Sequence, residues 1–457
     1  MQQLKSINPS NYQVLGTVEI SNLQEIENKV KLAQNVQQEW ENLGIEKRVA
    51  LLRKAMAELK SRKAEFILLE SREMGMPISE ARADFDATAD YAHWYFENAN
   101  QYLSPETTLE NEKEIHQVFY EPVGVSAVII PWNFPLANFV WGALQSLIAG
   151  NAVVLKHSEE VPLCGKLIED IFSRPLPKGV LGEVYGAGEV GKLLVQQEIK
   201  MIAFTGSTRT GKFLYETAGK RFIKAVMELG GSAPGIIFAD ADLDLSVESV
   251  VSERLLNAGQ CCDGLKRLMV QENILAEVVQ KIASLFSAKK IGLAEKENTE
   301  IGPLVAKRQL ELLSAQVEDA KAKGAKVMAG GNSLEQKLGG AFFEPTVLTD
   351  ISPEMRVWKE EVFGPVLPIV KFKTEQEAIE LANQTAYGLG SYVFTQDQER
   401  AARVAGFVKT GMVSINGTNY LRPFNPFGGY KNSGFGRQHG QYGFHEVTQV
   451  KIVAKNK

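Results

Sequence analysis

Across 457 residues the chain carries only three cysteines and five histidines. Cys164, Cys261 and Cys262 form an odd set, which gives little support to a disulfide framework. Two thiols side by side with no histidine close by do not match the spaced pairs that hold a tetrahedral zinc ion. Positive charge is not in excess either: 50 Lys and Arg face 55 Asp and Glu, for a net charge of −5. No basic footprint for nucleic acid exists on that balance. Long uncharged apolar runs are missing, which argues against a membrane partner, and the opening MQQLKSINPS lacks the apolar core of a secretory signal. A cytoplasmic location is the expectation.

What the chain has is material for a large core. Hydrophobic residues make up 44% and charged residues 23%, and the length suits two or three domains. From about Ile20 to Leu103, apolar residues recur at three- and four-residue spacing and predict helices, with Gly75 and Pro77 as a stop between two of them. The texture then changes. VGVSAVIIP, NAVVLK, LGEVYG and MIAFTGS are short apolar runs, each followed by a helical pattern, the first of these over Leu136 to Ile148. Strand and helix in alternation predict right-handed crossovers and a parallel sheet covered on both faces. APGIIF, RLMV, AKVMAGG and VLPIVKF predict a second α/β region, and GFHEVTQVKIVAK reads as a lone terminal strand. With no local partner, that strand is expected to pair elsewhere, on another subunit.

Three motifs invite chemistry. Gly186-Ala-Gly188-Glu-Val-Gly191 matches a dinucleotide fingerprint, yet the acidic residue expected about 20 positions later for a ribose is absent, so a simple tight turn is an equal reading. FTGSTRTG is better placed: Gly206 and Ser207 stand where a strand turns into a helix, and backbone N–H groups there suit a pyrophosphate. In NAGQCCDGLKR the adjacent thiols could be a strained disulfide, part of a metal site, inert core or a nucleophile.

PWNFP (Pro131–Pro135), FTGSTRTG, ELGG (Glu228–Gly231), GQCC (Gly259–Cys262), EEVFGPV (Glu360–Val366) and PFGGYKNSGFGR (Pro426–Arg437) occur in order over essentially the whole chain. In this it resembles the aldehyde dehydrogenase superfamily, most closely the short succinate-semialdehyde dehydrogenase-like branch. The resemblance implies an α/β fold with a Rossmann-like NAD-binding domain (1–105 and 124–229), an α/β catalytic domain (230–438) and a small β oligomerisation element (106–123 and 439–457). A homodimer or homotetramer that acts on a small-molecule aldehyde is implied with it. It selects Cys262 as nucleophile, Asn133 as oxyanion donor and Glu228 as the base that activates water. Cys164 stays in the core. For the cofactor it implies Lys156 and Glu159 at the adenosine ribose, Gly188, Gly206, Ser207 and Trp132 at the pyrophosphate, and Glu361 and Phe363 at the nicotinamide end. NAD is the expected cofactor, because Glu159 would repel a 2′-phosphate, and NADP is the alternative.

The same match lines a substrate tunnel with Phe134, Asn138, Trp141, Cys261, Asp263, Leu421 and Phe427, and brings Arg422 near it. An arginine fork suits the far carboxylate of a short semialdehyde. Asp263 pulls toward a neutral, hydroxylated or amino aldehyde. His157 after the lysine, Gln438 after GFGR and Asp263 itself depart from the family's usual residues. Outside the family, a cofactor-independent thiol esterase or an inactive structural relative are the rival readings.

Overall fold

The computed structural model describes residues 2–457. It opens with a hairpin, Gln3–Ile7 against Val14–Glu19, that apolar periodicity does not signal because most of its side chains face solvent. Four helices follow, Leu23–Asn42, Gly44–Ser61, Lys63–Met74 and Ile78–Leu103. Gly75 ends the third at φ 89°, a left-handed cap that costs glycine nothing, and Pro77 precedes the fourth. Trp40, Phe66, Phe85, Tyr95, Phe139 and Phe172 are fully buried in the cluster that binds these helices to the first sheet.

Among the described residues the first sheet has six strands. Val125–Ile129 lies inside it, with Ala152–Lys156 and then Leu181–Glu183 on one side. The chain then crosses back to Met201–Thr205 and Lys224–Glu228 on the other side. These strands run parallel, and Val125–Ile129 and Ala152–Lys156 are buried at every position, as a sheet covered on both faces requires. The direction of winding reverses between Val125–Ile129 and Met201–Thr205. The loops leaving their carboxyl ends diverge there, and a crevice opens between them. Gly434–Phe435 closes the far edge antiparallel to Lys224–Glu228, with Gly434 opposite Glu228.

The second sheet has seven strands in the order Lys326–Ala329, Thr346–Thr349, Val366–Phe372, Leu265–Gln271, Ala233–Ile237, Tyr392–Phe394 and Ser414–Ile415, antiparallel only at its first pair. Gly231 and Cys262 immediately precede two of its central strands. The segment expected as one helix from Leu136 to Ile148 is two α-helical pieces, Pro135–Phe139 and Gln145–Ala149, joined by a π-helical turn, Val140–Leu144, that carries Trp141. Such widened turns concentrate at functional sites.

The terminal strand, expected to pair elsewhere and on another subunit, does pair with a remote segment, but one of its own chain. Thr448–Asn456 pairs antiparallel with Glu114–Pro122 of the same chain along its full length, and Glu106–Glu110 lies on the other side of Glu114–Pro122. The partner stands far earlier in the sequence, where a local reading does not reach. Gly443 to Glu446, expected in that strand, belong instead to the helix Gly440–Glu446. No helix among the described residues is long and apolar enough to cross a membrane.

Gly434 has φ 129°, and a Cβ there would overlap the Met227 carbonyl oxygen. Gly434→Ala should lower unfolding free energy by about 2–4 kcal/mol, the range for backbone strain combined with a buried clash. Urea unfolding of the two proteins checks this, and a difference under about 0.5 kcal/mol would contradict it.

Candidate active site

The crevice at the first sheet's reversal point is a cavity of about 530 Å³. Ile129 to Trp132 form one wall and Phe204 to Ser207 the other. Gly206 makes the turn between them, since a Cβ there would run into the Phe204 ring. Ser207 caps the helix Thr208–Arg221, its Oγ accepting from the Thr210 N–H at 3.4 Å. Lys156, Glu159 and Gly188 line the far end. Lys156 is buried, its Nζ donates to the His157 carbonyl at 3.1 Å, and burial lowers its pKa against the upward pull of Glu159 and Glu183. Glu159 is half-buried, and its carboxylate has no hydrogen-bond or ion-pair partner among the described residues.

A crevice at a reversal point, with a helix N-terminus on one wall and an unengaged carboxylate in its lining, fits a dinucleotide: N–H donors for phosphates, an acceptor for a ribose diol. The glycine fingerprint contributes less. Gly186 is required, because a Cβ would overlap Val190, whereas a Cβ on Gly188 would meet nothing within 4 Å. His157 has a structural explanation: its Nδ1 pairs with Glu183 Oε1 at 2.7 Å, both side chains buried, away from the cavity.

At the other end of the site the backbone is strained. Asn257, Ala258 and Gly259 adopt φ of 51°, 52° and 74°, three left-handed residues in succession just before the thiols. Arg254, fully buried, donates to the carbonyls of Gly259 at 2.8 Å, Val362 at 3.2 Å and Leu265 at 3.2 Å. Gln260 bridges the Asn257 carbonyl and the Val305 N–H, and the Asn257 N–H donates to Glu80 Oε2 at 2.7 Å. Burial pushes the Glu80 carboxyl up to about 7. The turn buries Cys261 and leaves Cys262 half-exposed. Cys164 is buried in the helix Pro162–Ser173.

Asn133 lies beside this turn. Its Nδ2 donates to the Gln260 carbonyl at 3.0 Å, and Asn138 Nδ2 approaches its Oδ1 at 3.4 Å, which fixes the amide with nitrogen toward the cysteines and one N–H to spare. Asn138 thus braces Asn133 and also donates to the Phe134 carbonyl. Glu228 ends its strand 2% exposed, and neither carboxyl oxygen has a partner among the described residues. Burial pushes its pKa well up, with Glu446 and Asp263 adding to the rise and Arg437 opposing it.

The ELGG and EEVFGPV segments meet here. A Cβ on Gly230 would overlap Glu361 Oε2, and one on Gly231 would overlap the Cys262 carbonyl, so only glycines let the three chains approach. Glu361 Oε1 accepts from the Gly231 N–H at 3.1 Å and from Lys266 Nζ at 2.7 Å. Phe363 stands perpendicular to Trp132, ring centres 5.5 Å apart, and Trp132 links this end to the cavity.

Around the thiols, Phe134 and Cys261 share an apolar cluster with Trp141 and Leu421, while Phe427 with Leu389 and Met412 packs on Cys262. Asp263 is buried: its Oδ1 accepts from Cys261 Sγ at 3.1 Å and lies 3.8 Å from Cys262 Sγ, and its Oδ2 accepts from the Tyr420 hydroxyl at 3.2 Å. Arg422 is exposed, with its guanidinium free of partners among the described residues. Sequence reasoning missed Tyr91, Tyr420, His439 and Lys266. Tyr91 and His439 contact the Trp141 ring at centroid distances of 5.7 and 4.9 Å, and only the fold brings them there. Lys266 had a signal, a charge inside an apolar strand.

The family model described as "Aldehyde dehydrogenase family" matches residues 1–453. The succinate semialdehyde dehydrogenase [NAD(P)+] Sad of Escherichia coli (strain K12) is 35% identical over 99% of this chain and 98% of its own length. The succinate-semialdehyde dehydrogenase [NADP(+)] of Deinococcus radiodurans is 37% identical over 98% and 94%. The NAD+ complex of aldehyde dehydrogenase from Bacillus cereus superposes with a TM-score of 0.96 at 34% identity, over 100% of this chain and 93% of the other. On this match over nearly its whole length, the chain belongs to the aldehyde dehydrogenase family and is an NAD(P)-dependent aldehyde dehydrogenase.

Proposed function

We propose that this enzyme oxidises a short semialdehyde, succinate semialdehyde first among them, to the free dicarboxylic acid by way of a thioester on Cys262. The observation that carries the reaction is Glu228: a buried carboxyl with both oxygens unengaged, whose pKa burial pushes well up, is a stronger base once ionised than an exposed carboxylate. Through a water it takes the Cys262 proton, and the thiolate adds to the aldehyde carbon. Asn133 Nδ2 and the Cys262 N–H receive the oxyanion, each such donor being worth about 3–4 kcal/mol. NAD(P), when bound in the crevice with Glu361 and Phe363 at its nicotinamide end, supplies the hydride acceptor. Glu228, its first proton passed to solvent, then takes one from a water that attacks the thioester, and the Cys262 thiolate leaves. Glu159 favours NAD, because a 2′-phosphate would meet a second negative charge.

For the substrate, the free Arg422 guanidinium supports a remote carboxylate, and the two curated relatives named above carry succinate semialdehyde in their names. A second reading rests on Asp263, whose Oδ1 lies 3.8 Å from Cys262 Sγ and whose Oδ2 accepts from the Tyr420 hydroxyl. A carboxylate beside the thiol suits a cationic amino aldehyde. The same proposal divides the chain into cofactor (1–105, 124–229), catalytic (230–438) and assembly (106–123, 439–457) parts. The apolar Val450, Ile452 and Val453, exposed on the terminal strand, support self-association.

Cys262→Ala should abolish NAD(P)H formation, whereas Cys261→Ala, its thiol turned to Asp263, should keep most of it. Absorbance with a panel of short aldehydes reads both, and loss of activity in Cys261→Ala alone would reverse the assignment.

Glu228→Gln should release roughly one equivalent of NAD(P)H per active site and then stall as an acyl-enzyme visible by mass spectrometry. Deacylation in the wild type should quicken as pH rises, since the raised carboxyl accepts a proton only once ionised. The absence of both burst and adduct would remove Glu228 from this role.

Arg422→Ala should raise KM for succinate semialdehyde about tenfold, the loss of a charged hydrogen bond, and leave propanal nearly unchanged. Equal effects on the two would sink the carboxylate anchor, and a wild type that prefers an amino aldehyde would favour the Asp263 reading.

A further inference from the structure

Lys266 is fully buried in the strand Leu265–Gln271, and its three ammonium hydrogens face three acceptors. Nζ lies 2.7 Å from the Cys262 carbonyl, 3.0 Å from the Gly231 carbonyl and 2.7 Å from Glu361 Oε1. It also sits 5.2 Å from the centre of the Phe363 ring. One cation therefore touches the backbone of the thiol residue, the loop that follows Glu228 and both residues of the nicotinamide end. A buried ammonium is costly unless paired, so a position with three matched acceptors resists displacement. A neutral side chain of similar length would leave these three acceptors without the ammonium and tie none of these groups together.

We propose that Lys266 is a positioning residue that locks the Cys262 backbone to Glu361 and lends its charge to the Cys262 thiolate, so that nucleophile and cofactor end are set by one group. This rests on the reading of Cys262 as nucleophile and Glu361 as a nicotinamide-side contact. The charged and titratable groups around the thiol are unequal in sign. Asp263, Glu361 and Glu228 all disfavour its ionisation, as does burial, and Lys266 is the group that favours it. Cys261 adds a second thiol held by Asp263. Without Lys266 the thiolate would face three carboxyl groups with nothing opposed to them.

The test uses the full-length enzyme without cofactor. The rate of iodoacetamide modification at Cys262, located by mass spectrometry, is followed against pH, and NAD+ affinity is measured separately by calorimetry. Lys266→Met should move the alkylation midpoint up by about one pH unit or more, slow the reaction at neutral pH about tenfold and weaken NAD+ binding several-fold. Lys266→Arg should recover part of both. Glu361→Gln guards against a Lys266→Met protein that does not fold: with the carboxylate neutralised and Lys266 in place, the midpoint should fall while NAD+ affinity still drops. A folded Lys266→Met with the wild-type alkylation profile, or a Glu361→Gln midpoint that stays or rises, overturns the proposal. The reading beneath it fails by a different sign: wild-type enzyme alkylated at Cys262 that remains active.

Discussion

Everything in the chemical half of the site hangs on a stretch of backbone in an unfavourable state. Asn257 and Ala258 each carry a side chain in the left-handed region, at a cost of about 1–2 kcal/mol per residue. Arg254 holds the turn from inside, spending its guanidinium on carbonyls alone, and a hydrogen bond from a charged donor contributes about 1.5–3 kcal/mol. Glu80 and Gln260 add restraints from two other directions. The turn buries Cys261 in the wall and leaves Cys262 only half-buried. Neighbouring residues of one chain thereby acquire different surroundings, although their chemistry is the same.

Close approach is the second constraint. Gly230 and Gly231 admit Glu361 and the Cys262 carbonyl into contact, and Lys266 then fills the point where the strands converge. The cofactor half is built on a different plan, a crevice produced by the winding order of a parallel sheet. Trp132 belongs to both, lining the crevice with one part of its surface and meeting Phe363 with another. Geometry at one end is enforced by buried charge and at the other by topology.

The two halves were unequally legible. Alternating apolar runs declare the first sheet, and motif residues such as Cys262, Asn133 and Glu228 stand out because several matching segments occur in order. Tyr91 and His439 do not, since each lies in an ordinary helical or loop context and reaches Trp141 only through the fold. Asp263 was readable as an oddity, yet its partners Cys261 and Tyr420 set which way the carboxylate turns, and Tyr420 comes from a distant loop. The terminal strand misleads for the same reason: its partner, Glu114–Pro122, is remote in sequence, and local periodicity carries no register.

That remote pairing has a bearing on how the molecule comes into being. Glu114–Pro122 emerges from the ribosome long before Thr448–Asn456, and one of its edges stays bare in between. The sheet that presents Glu228 also waits, for a shorter stretch of chain, for Gly434–Phe435 at its border. A nascent chain thus holds an unpaired edge strand while the whole intervening segment is made, the condition under which chains associate wrongly or are handed to chaperones. Removing Thr448–Asn456 would return the protein to that immature state, with the defect felt far from the cut.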